Sequence, residues 1–254
     1  KVIGLINIQF AVKYINKKEF IYILEVNPRA SRTVPFVAKA TGNQIAKLAA
    51  SCMIGKKINK NKFLPWFTKN KVAVKEAVFP FKKFKGVDVL LGPEMKSTGE
   101  VMGLDVNFGR AFAKSQIATG INLPLNGNIF ISVKDKDKSF IVDLCVRFVS
   151  LGFKIICTKG TGQYLQKQKI SFSYVNKVRE GRPHIVEMIK NKEVALICNT
   201  TEGNQSISDS FSLRQAALHT NVPYYTTISG CKSVILAIES LIKNELSIKS
   251  LQSY

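Results

Sequence analysis

The sequence predicts an α/β protein whose second half is a parallel sheet with both faces covered. Three observations carry that prediction. From residue 128 onward, short apolar runs alternate with amphipathic stretches, the pattern of repeated β–α units. Those runs are apolar throughout instead of alternating with polar residues, as strands buried on both faces are. Ahead of them lies a region of different character, where two strand-like runs lead into an arginine-bearing loop and a helical segment.

Taken in order, Val2-Ile-Gly-Leu-Ile-Asn-Ile-Gln-Phe10 and Phe20-Ile-Tyr-Ile-Leu24 read as strands, the second as a buried one. Asn16-Lys17-Lys18 is the turn between them, and Pro28 stops the second strand. Residues 38–54 have helical spacing, with Ile45, Leu48, Ala49 and Cys52 on one face and Gly55 as the C-cap. A basic, Asn-rich loop fills 56–70. The strand expected at 72–79 carries Lys75 and Glu76 inside an apolar context. Glycine- and proline-punctuated loops then lead to a helix at 108–119. Residues 121–127 are polar and hinge-like, which places a domain boundary between 1–120 and 121–254. Beyond it, strands at 128–133, 153–157, 172–175, 194–198 and 224–227 alternate with helices at 138–150, 162–167, 184–191, 209–219 and 232–244. Asp209 is the expected N-cap of the fourth of these helices.

Composition sets the outer bounds. A chain of 254 residues holds one large domain or two small ones, with ample length for real cores. No apolar run approaches the ~18–20 residues of a membrane span, and no charged-then-apolar signal pattern opens the chain. A cytosolic or organelle-matrix protein is expected. The chain opens on Lys1 and enters a strand-like run almost at once, so we read it as part of a longer protein. The five cysteines form no Cys-x-x-Cys pair and sit among apolar neighbours, the pattern of buried free thiols. Net charge is +21, but lysines scattered over loops and without interleaved aromatics read as a solvated basic surface more than a nucleic-acid footprint.

Two constellations carry chemistry. On the Phe20–Leu24 strand and its continuation, Glu25 and Asn27 stand two residues apart and so point to one side. A carboxylate and an amide oxygen are hard ligands suited to Mg²⁺ or Mn²⁺. Arg29 and Arg32 then add two permanent positive charges, suited to a polyphosphate and an anionic co-substrate. The bland alternative is a surface Glu in ion pairs with two arginines. In the second half, strand ends and the loops after them carry Thr158-Lys-Gly-Thr161, Lys177 and Asn199-Thr-Thr-Glu-Gly203. Ligands gather at the carboxyl ends of strands in open α/β sheets, and threonines with helix-start N–H groups suit a phosphate. Here the bland alternative is capping residues with solvated lysines. His184 at a helix start reads as a structural contact, and two histidines give little scope for histidine catalysis.

The string Glu25-Val-Asn-Pro-Arg-Ala-Ser-Arg-Thr-Val-Pro-Phe36 resembles the metal-binding end of an ATP-grasp domain. Its continuation to Gly42 narrows the resemblance to the large subunit of carbamoyl phosphate synthetase. Leu91-Gly-Pro-Glu-Met-Lys-Ser-Thr-Gly-Glu-Val101, Phe108-Gly-x-Ala-Phe-Ala-Lys-Ser-Gln116 and Asn176-Lys-Val-x-Glu-Gly-Arg-Pro-His184 look like the same family, in order. The resemblance implies the remnant of an ATP-grasp α+β domain followed by a Rossmann-like, methylglyoxal-synthase-like regulatory domain. It implies Gln9, Glu25 and Asn27 as ligands of Mg²⁺ or Mn²⁺ with ATP as substrate, and Arg29 and Arg32 at carbamate and the transferred phosphoryl group. It implies Lys138, Thr158, Thr161, Lys177, Asn199 and Thr201 as the site of a nucleotide monophosphate effector such as UMP or IMP. Glu76, Tyr224 and Thr226 would take ornithine, although Glu76 could equally pair with Lys75. The implied partners are bicarbonate, ammonia, a glutaminase small subunit and further copies of that heterodimer. The chain departs from the family at Gln163, Tyr225 and Cys231, which leaves the effector open. A purely nucleotide-sensing module and a basic nucleic-acid binder are the alternative readings.

Overall fold

The computed structural model describes residues 2–59, 71–79, 99–243 and 246–253. The segments 60–70 and 80–98 lie outside them, and with them most of the expected basic loop and of the Leu91–Val101 motif. The described residues group into two compact units, Lys1–Asn70 with Ile248–Tyr254, and Lys71–Ser247. The expected hinge at 121–127 falls within the second unit.

In the first unit, β1 (Asn7–Ile15) and β2 (Lys18–Asn27) form an antiparallel ribbon. Asn16 and Lys17 turn the chain with φ of 49° and 63°, the positive values that a two-residue hairpin loop of matching twist requires. A bulge between Gln9 and Phe10 shifts the register near the open end. The run Phe20–Leu24 is exposed, not buried: Ile23 and Leu24 are 64% and 65% accessible. A two-stranded ribbon has two faces, and among the described residues no third strand or helix covers either. The helix expected at 38–54 is two helices, α1 (Thr33–Thr41) and α2 (Ile45–Met53). Gly42 adopts the left-handed conformation at φ 74° and ends α1, as a glycine just past a helix does. Helix α1 also begins before residue 38; Pro35 stands in its first turn, where N–H groups have no helical partner and the proline's missing one is not needed. Gly55, at φ 83°, follows α2 as expected.

The second unit opens with the antiparallel pair β3 (Val72–Val78) and β4 (Gly99–Asp105), followed by α3 (Phe108–Ala118). Asn107 caps α3 by accepting from the Arg110 N–H at 2.9 Å. Gly103 lets α3 lie directly on β4, since a Cβ there would stand 1.8 Å from the Ala111 carbonyl oxygen. Next come β5 (Asn128–Ser132), a 3-10 turn at Asp135–Phe140, α4 (Ile141–Ser150), β6 (Lys154–Cys157), α5 (Lys159–Lys167) and β7 (Ser173–Tyr174). They are followed by α6 (Ile185–Lys190), β8 (Leu196–Asn199), α7 (Asn204–Asp209), α8 (Phe211–Thr220), β9 (Tyr224–Tyr225) and α9 (Ile228–Lys243). The five strands β5–β9 form a parallel sheet in the order β7-β6-β5-β8-β9.

One face of that sheet buries Ile129, Ile131, Cys157, Leu196 and Cys198 against residues of α3, α4, α5 and α9. The other buries Phe130, Ile156 and Ile197 against α6 and α8. Alternate residues of each strand therefore serve two cores, which is why the runs read as apolar throughout. Arg147 and Glu239 tie α4 to α9 through paired bonds of 2.8 Å each. All five cysteines are free, and four are buried. Burial pushes the Cys145 and Cys157 thiols up to about 12, so these two are packing groups and not nucleophiles.

Several helix boundaries differ from expectation: α4 starts at Ile141, three residues late and behind the 3-10 turn, and α7 is not among the expected helices. Helix α5 starts at Lys159, three residues early, although Gly160 and Gly162 are poor helix formers. Gly162 is needed there, because a Cβ would stand 2.5 Å from the Tyr174 ring. Asp209 ends α7 and does not cap the next helix; Ser210 precedes α8, while the Asp209 carboxylate pairs with Arg179 at 3.1 Å. Helix α9 begins at Ile228, four residues before the expected start and separated by two residues from the short strand β9.

Candidate functional site

The sheet order sets where a ligand can sit. The chain moves outward from β5 to β7, then returns to the other side of β5 with β8. At such a reversal the loops leaving two neighbouring strands turn to opposite faces and open a crevice at their carboxyl ends. A cavity of about 670 Å³ lies there. Ser132, Thr158 and Asn199 follow or end β5, β6 and β8 at its floor, with Phe130, Ile185 and Leu213 as apolar lining.

All six residues expected to hold an effector line this one cavity: Lys138, Thr158, Thr161, Lys177, Asn199 and Thr201. Thr158 precedes α5 but does not cap it; its hydroxyl meets Ser132 Oγ at 3.1 Å. The Thr161 hydroxyl accepts from the Val133 N–H at 3.2 Å. Asn199 donates to the Tyr224 hydroxyl at 2.7 Å. Lys138 pairs with Asp135 at 2.7 Å, and its ammonium lies over the first turn of α5, beside Gly160. That hydrogen bond from Lys138 holds the Asp135 carboxyl below its ordinary value. Two more ion pairs tie neighbouring loops: Lys136 to Glu202 at 2.9 Å and Arg179 to Asp209 at 3.1 Å. Sequence reasoning missed Ser132 and Lys134, which also line the cavity. They follow the apolar run of β5 directly, the same strand-end position that singled out Thr158 and Asn199.

His184 precedes α6 and accepts from the Glu187 N–H, while Glu187 accepts from the His184 N–H at 3.1 Å. This reciprocal cap is the structural contact expected of it.

Tyr224 lies against the core of Phe130 and Ile197, whereas Tyr225 packs on the opposite core. The Tyr225 hydroxyl donates to Gln116 at 3.0 Å. Burial pushes the Tyr225 phenol well up, and the Glu76 charge adds to it. Lys75 pairs across the ribbon with Glu100 at 2.9 Å and not with Glu76. Successive strand residues point to opposite sides, which separates Lys75 from Glu76 and Tyr224 from Tyr225. Burial raises the Glu76 carboxyl above its ordinary value.

In the first unit, Gln9 pairs in register with Glu25, and Asn7 with Asn27, so Gln9, Glu25 and Asn27 share one face of the ribbon. The Asn27 amide donates to Glu25 Oε1. Arg29 and Arg32 follow in the bend before α1; Arg29 donates to the Ala30 carbonyl at 3.2 Å. Among the described residues no cluster of three or more His, Cys, Asp or Glu could hold a metal. No helix of the described residues is long and apolar enough to cross a membrane.

Comparison with known proteins finds two family models matching different parts of the chain. The family model described as "Carbamoyl-phosphate synthase L chain, ATP binding domain" matches residues 1–61, and the model described as "MGS-like domain" matches 140–226. The carbamoyl phosphate synthase large chain of Myxococcus xanthus is 53% identical over 253 residues, covering 100% of this chain and 23% of that protein. The large chain of Xanthomonas campestris pv. campestris is 52% identical over 239 residues, covering 94% and 22%. The chain belongs to the carbamoyl phosphate synthase large-chain family. It spans less than a quarter of the length of these relatives. A solved methylglyoxal synthase from Elizabethkingia anophelis aligns with 45% of this chain and 80% of its own at 15% identity and a TM-score of 0.37, too distant to carry an argument.

Proposed function

We propose that this chain supplies part of the carbamate-phosphorylating site and the effector site of an ATP-dependent carbamoyl phosphate synthetase. Residues 1–120 would serve the first role and 121–254 the second. The full enzyme would make carbamoyl phosphate from bicarbonate, ATP and ammonia, the ammonia coming from a glutaminase small subunit. The relatives, named carbamoyl phosphate synthase large chains along the whole of this sequence, support the reading.

Gln9, Glu25 and Asn27 fit Mg²⁺ or Mn²⁺: three oxygen donors on one ribbon face, one of them anionic, leave room for phosphate and water ligands. When bound, such an ion supplies charge neutralisation to the migrating phosphoryl group. Arg29 and Arg32 orient the anionic carbamate and stabilise the charge that develops on the transferred group. The test is Glu25→Gln in a full-length protein carrying this chain, assayed as ATP formation from carbamoyl phosphate and ADP. Loss of a carboxylate from a site with so few protein ligands should cut the rate at least about a hundredfold. A near-normal rate removes the ribbon from the catalytic account.

The observation that carries the regulatory half is the cavity at the sheet reversal, lined by all six anticipated residues. The reading it supports is binding of a nucleotide monophosphate. In an ornithine-class effector, Glu76 is the group that would take the ammonium.

A further inference from the structure

We propose that Lys134 is a further anion-binding residue of this cavity, and that with Lys177 it selects a doubly charged phosphate monoester over a singly charged diester. The inference deepens the effector reading above and rests on it.

The charges around the cavity decide it. Four carboxylates line it: Asp135, Glu180, Glu202 and Asp209. Each already has a partner. Asp135 is held by Lys138, Asp209 by Arg179 and Glu202 by Lys136. Glu180 accepts the Lys177 backbone N–H at 2.9 Å. Of the four lining cations, Lys138 and Arg179 are thereby engaged. Among the described residues, the ammonium groups of Lys134 and Lys177 have no ion pair or hydrogen bond. Two uncommitted positive charges therefore remain on one concave surface.

The position of Lys134 is fixed. Its backbone N–H donates to the Thr200 hydroxyl at 3.1 Å, and the Thr200 N–H donates to the Ser132 carbonyl at 3.1 Å. This stitches the first residues after β5 to the first residue after β8, at the sheet reversal. Glu202, close enough for the Lys134 charge to lower its carboxyl further, is occupied mainly by its hydrogen bond from Lys136. Lys134 itself forms no ion pair with Glu202, which pairs with Lys136. A phosphate monoester carries about −1.5 to −2 charge near pH 7, with its second proton leaving near pH 6. A diester stops at one negative charge. Two uncommitted ammonium groups match the first and over-supply the second.

Calorimetry on the 254-residue chain tests this, with UMP and IMP, the matching nucleosides, and the matching 3′,5′-cyclic monophosphates as singly charged diesters. The wild type should favour each monoester over its cyclic diester by about tenfold at pH 7.5. That preference should shrink as pH falls from 7 to 5 and the phosphate gains its proton, while nucleoside affinity stays level. Lys134→Gln should lower monoester affinity about tenfold and remove most of the preference, and Lys134→Arg should restore it. If the wild type binds monoester and nucleoside equally, or binds neither, the phosphate reading itself falls and Lys134 with it. If the wild type prefers the monoester but Lys134→Gln retains that preference, the effector reading survives and the Lys134 assignment is overturned. A monoester affinity flat from pH 5 to 7 overturns the dianion selection without recourse to any variant.

Discussion

The ribbon of the first unit and the central strands of the second are written in the same residues and end in opposite surroundings. Phe20-Ile-Tyr-Ile-Leu24 is apolar at all five positions, and Asn128-Ile-Phe-Ile-Ser132 at its central three. In β5 the residues Ile129, Phe130 and Ile131 are at most 1% accessible; in β2 none of Phe20 to Leu24 is below 41%. The difference lies in what the neighbouring sequence provides. Strand β5 has β6 and β8 at its sides and a helix layer on each face. Strand β2 has one partner and no layer among the described residues. An apolar run states a demand for cover, and only topology shows whether the demand is met.

The largest expected effect tests that contrast directly. Phe148 is fully buried, edge-on to Phe153 with ring centres 5.8 Å apart. Phe148→Ala should cost about 3–5 kcal/mol through lost transfer energy and the cavity left behind. Ile23→Ala, at a 64% accessible position, should change the stability of this chain by no more than about 0.5 kcal/mol. Urea unfolding measures both. A core-sized cost at Ile23 in the 254-residue chain would break the contrast. The same cost appearing only in a longer protein would sharpen it, because further chain would then supply the missing layer.

An intermediate effect comes from the one acidic group in the β4–α3 corner. The Asp105 side chain is 4% accessible, with Lys114 Nζ at 2.7 Å and Arg110 Nε at 3.2 Å. Burial alone would raise its carboxyl. The Lys114 hydrogen bond, the Val106 N–H and the charges of Lys114 and Arg110 outweigh burial and hold it below its ordinary value. A depressed folded value means stability present above the unfolded value of about 3.9 and lost as pH falls through the folded one. Asp105→Asn should therefore lower stability by about 1.5–3 kcal/mol at pH 7. Wild type and variant should converge at the acid end. A constant gap from pH 7 to pH 2, read by urea midpoints, would assign the effect to packing instead of charge.

The same contrast explains what could be read from the residues. Each β–α unit of the parallel sheet is self-contained: an apolar run, a polar strand end and a helix. Strands β5 to β9 and the cavity residues Thr158, Thr161 and Asn199 were therefore legible in the sequence. Boundaries set by tertiary contact were not. Gly162 looks like a late helix start until the Tyr174 ring is seen to require a glycine inside α5. Tyr224 and Tyr225 look alike in the sequence until β9 pairs with β8 and turns them to opposite cores. Lys134 was legible by the strand-end rule and went unread, because a lone lysine gives no sign that its neighbours on the cavity wall are already paired. The exposure of β2 was not legible at all, since composition records no absence of cover.

The smallest effect isolates the ribbon from everything else. Lys17 holds a left-handed conformation at φ 63°, which costs a residue with a Cβ about 1–2 kcal/mol. Lys17→Gly removes that strain and completes the Asn-Gly pair favoured in two-residue hairpin loops, while the freer unfolded chain takes back about 0.5–1 kcal/mol. The net gain should be about 0.5–1 kcal/mol, or roughly a two- to fivefold slowing of amide exchange. If β1–β2 is a ribbon that opens on its own, the slowing will appear in Asn7–Ile15 and Lys18–Asn27 and leave β5 and β8 untouched. Equal slowing in the parallel sheet would mean the two regions open together. Their difference in cover would then not extend to stability.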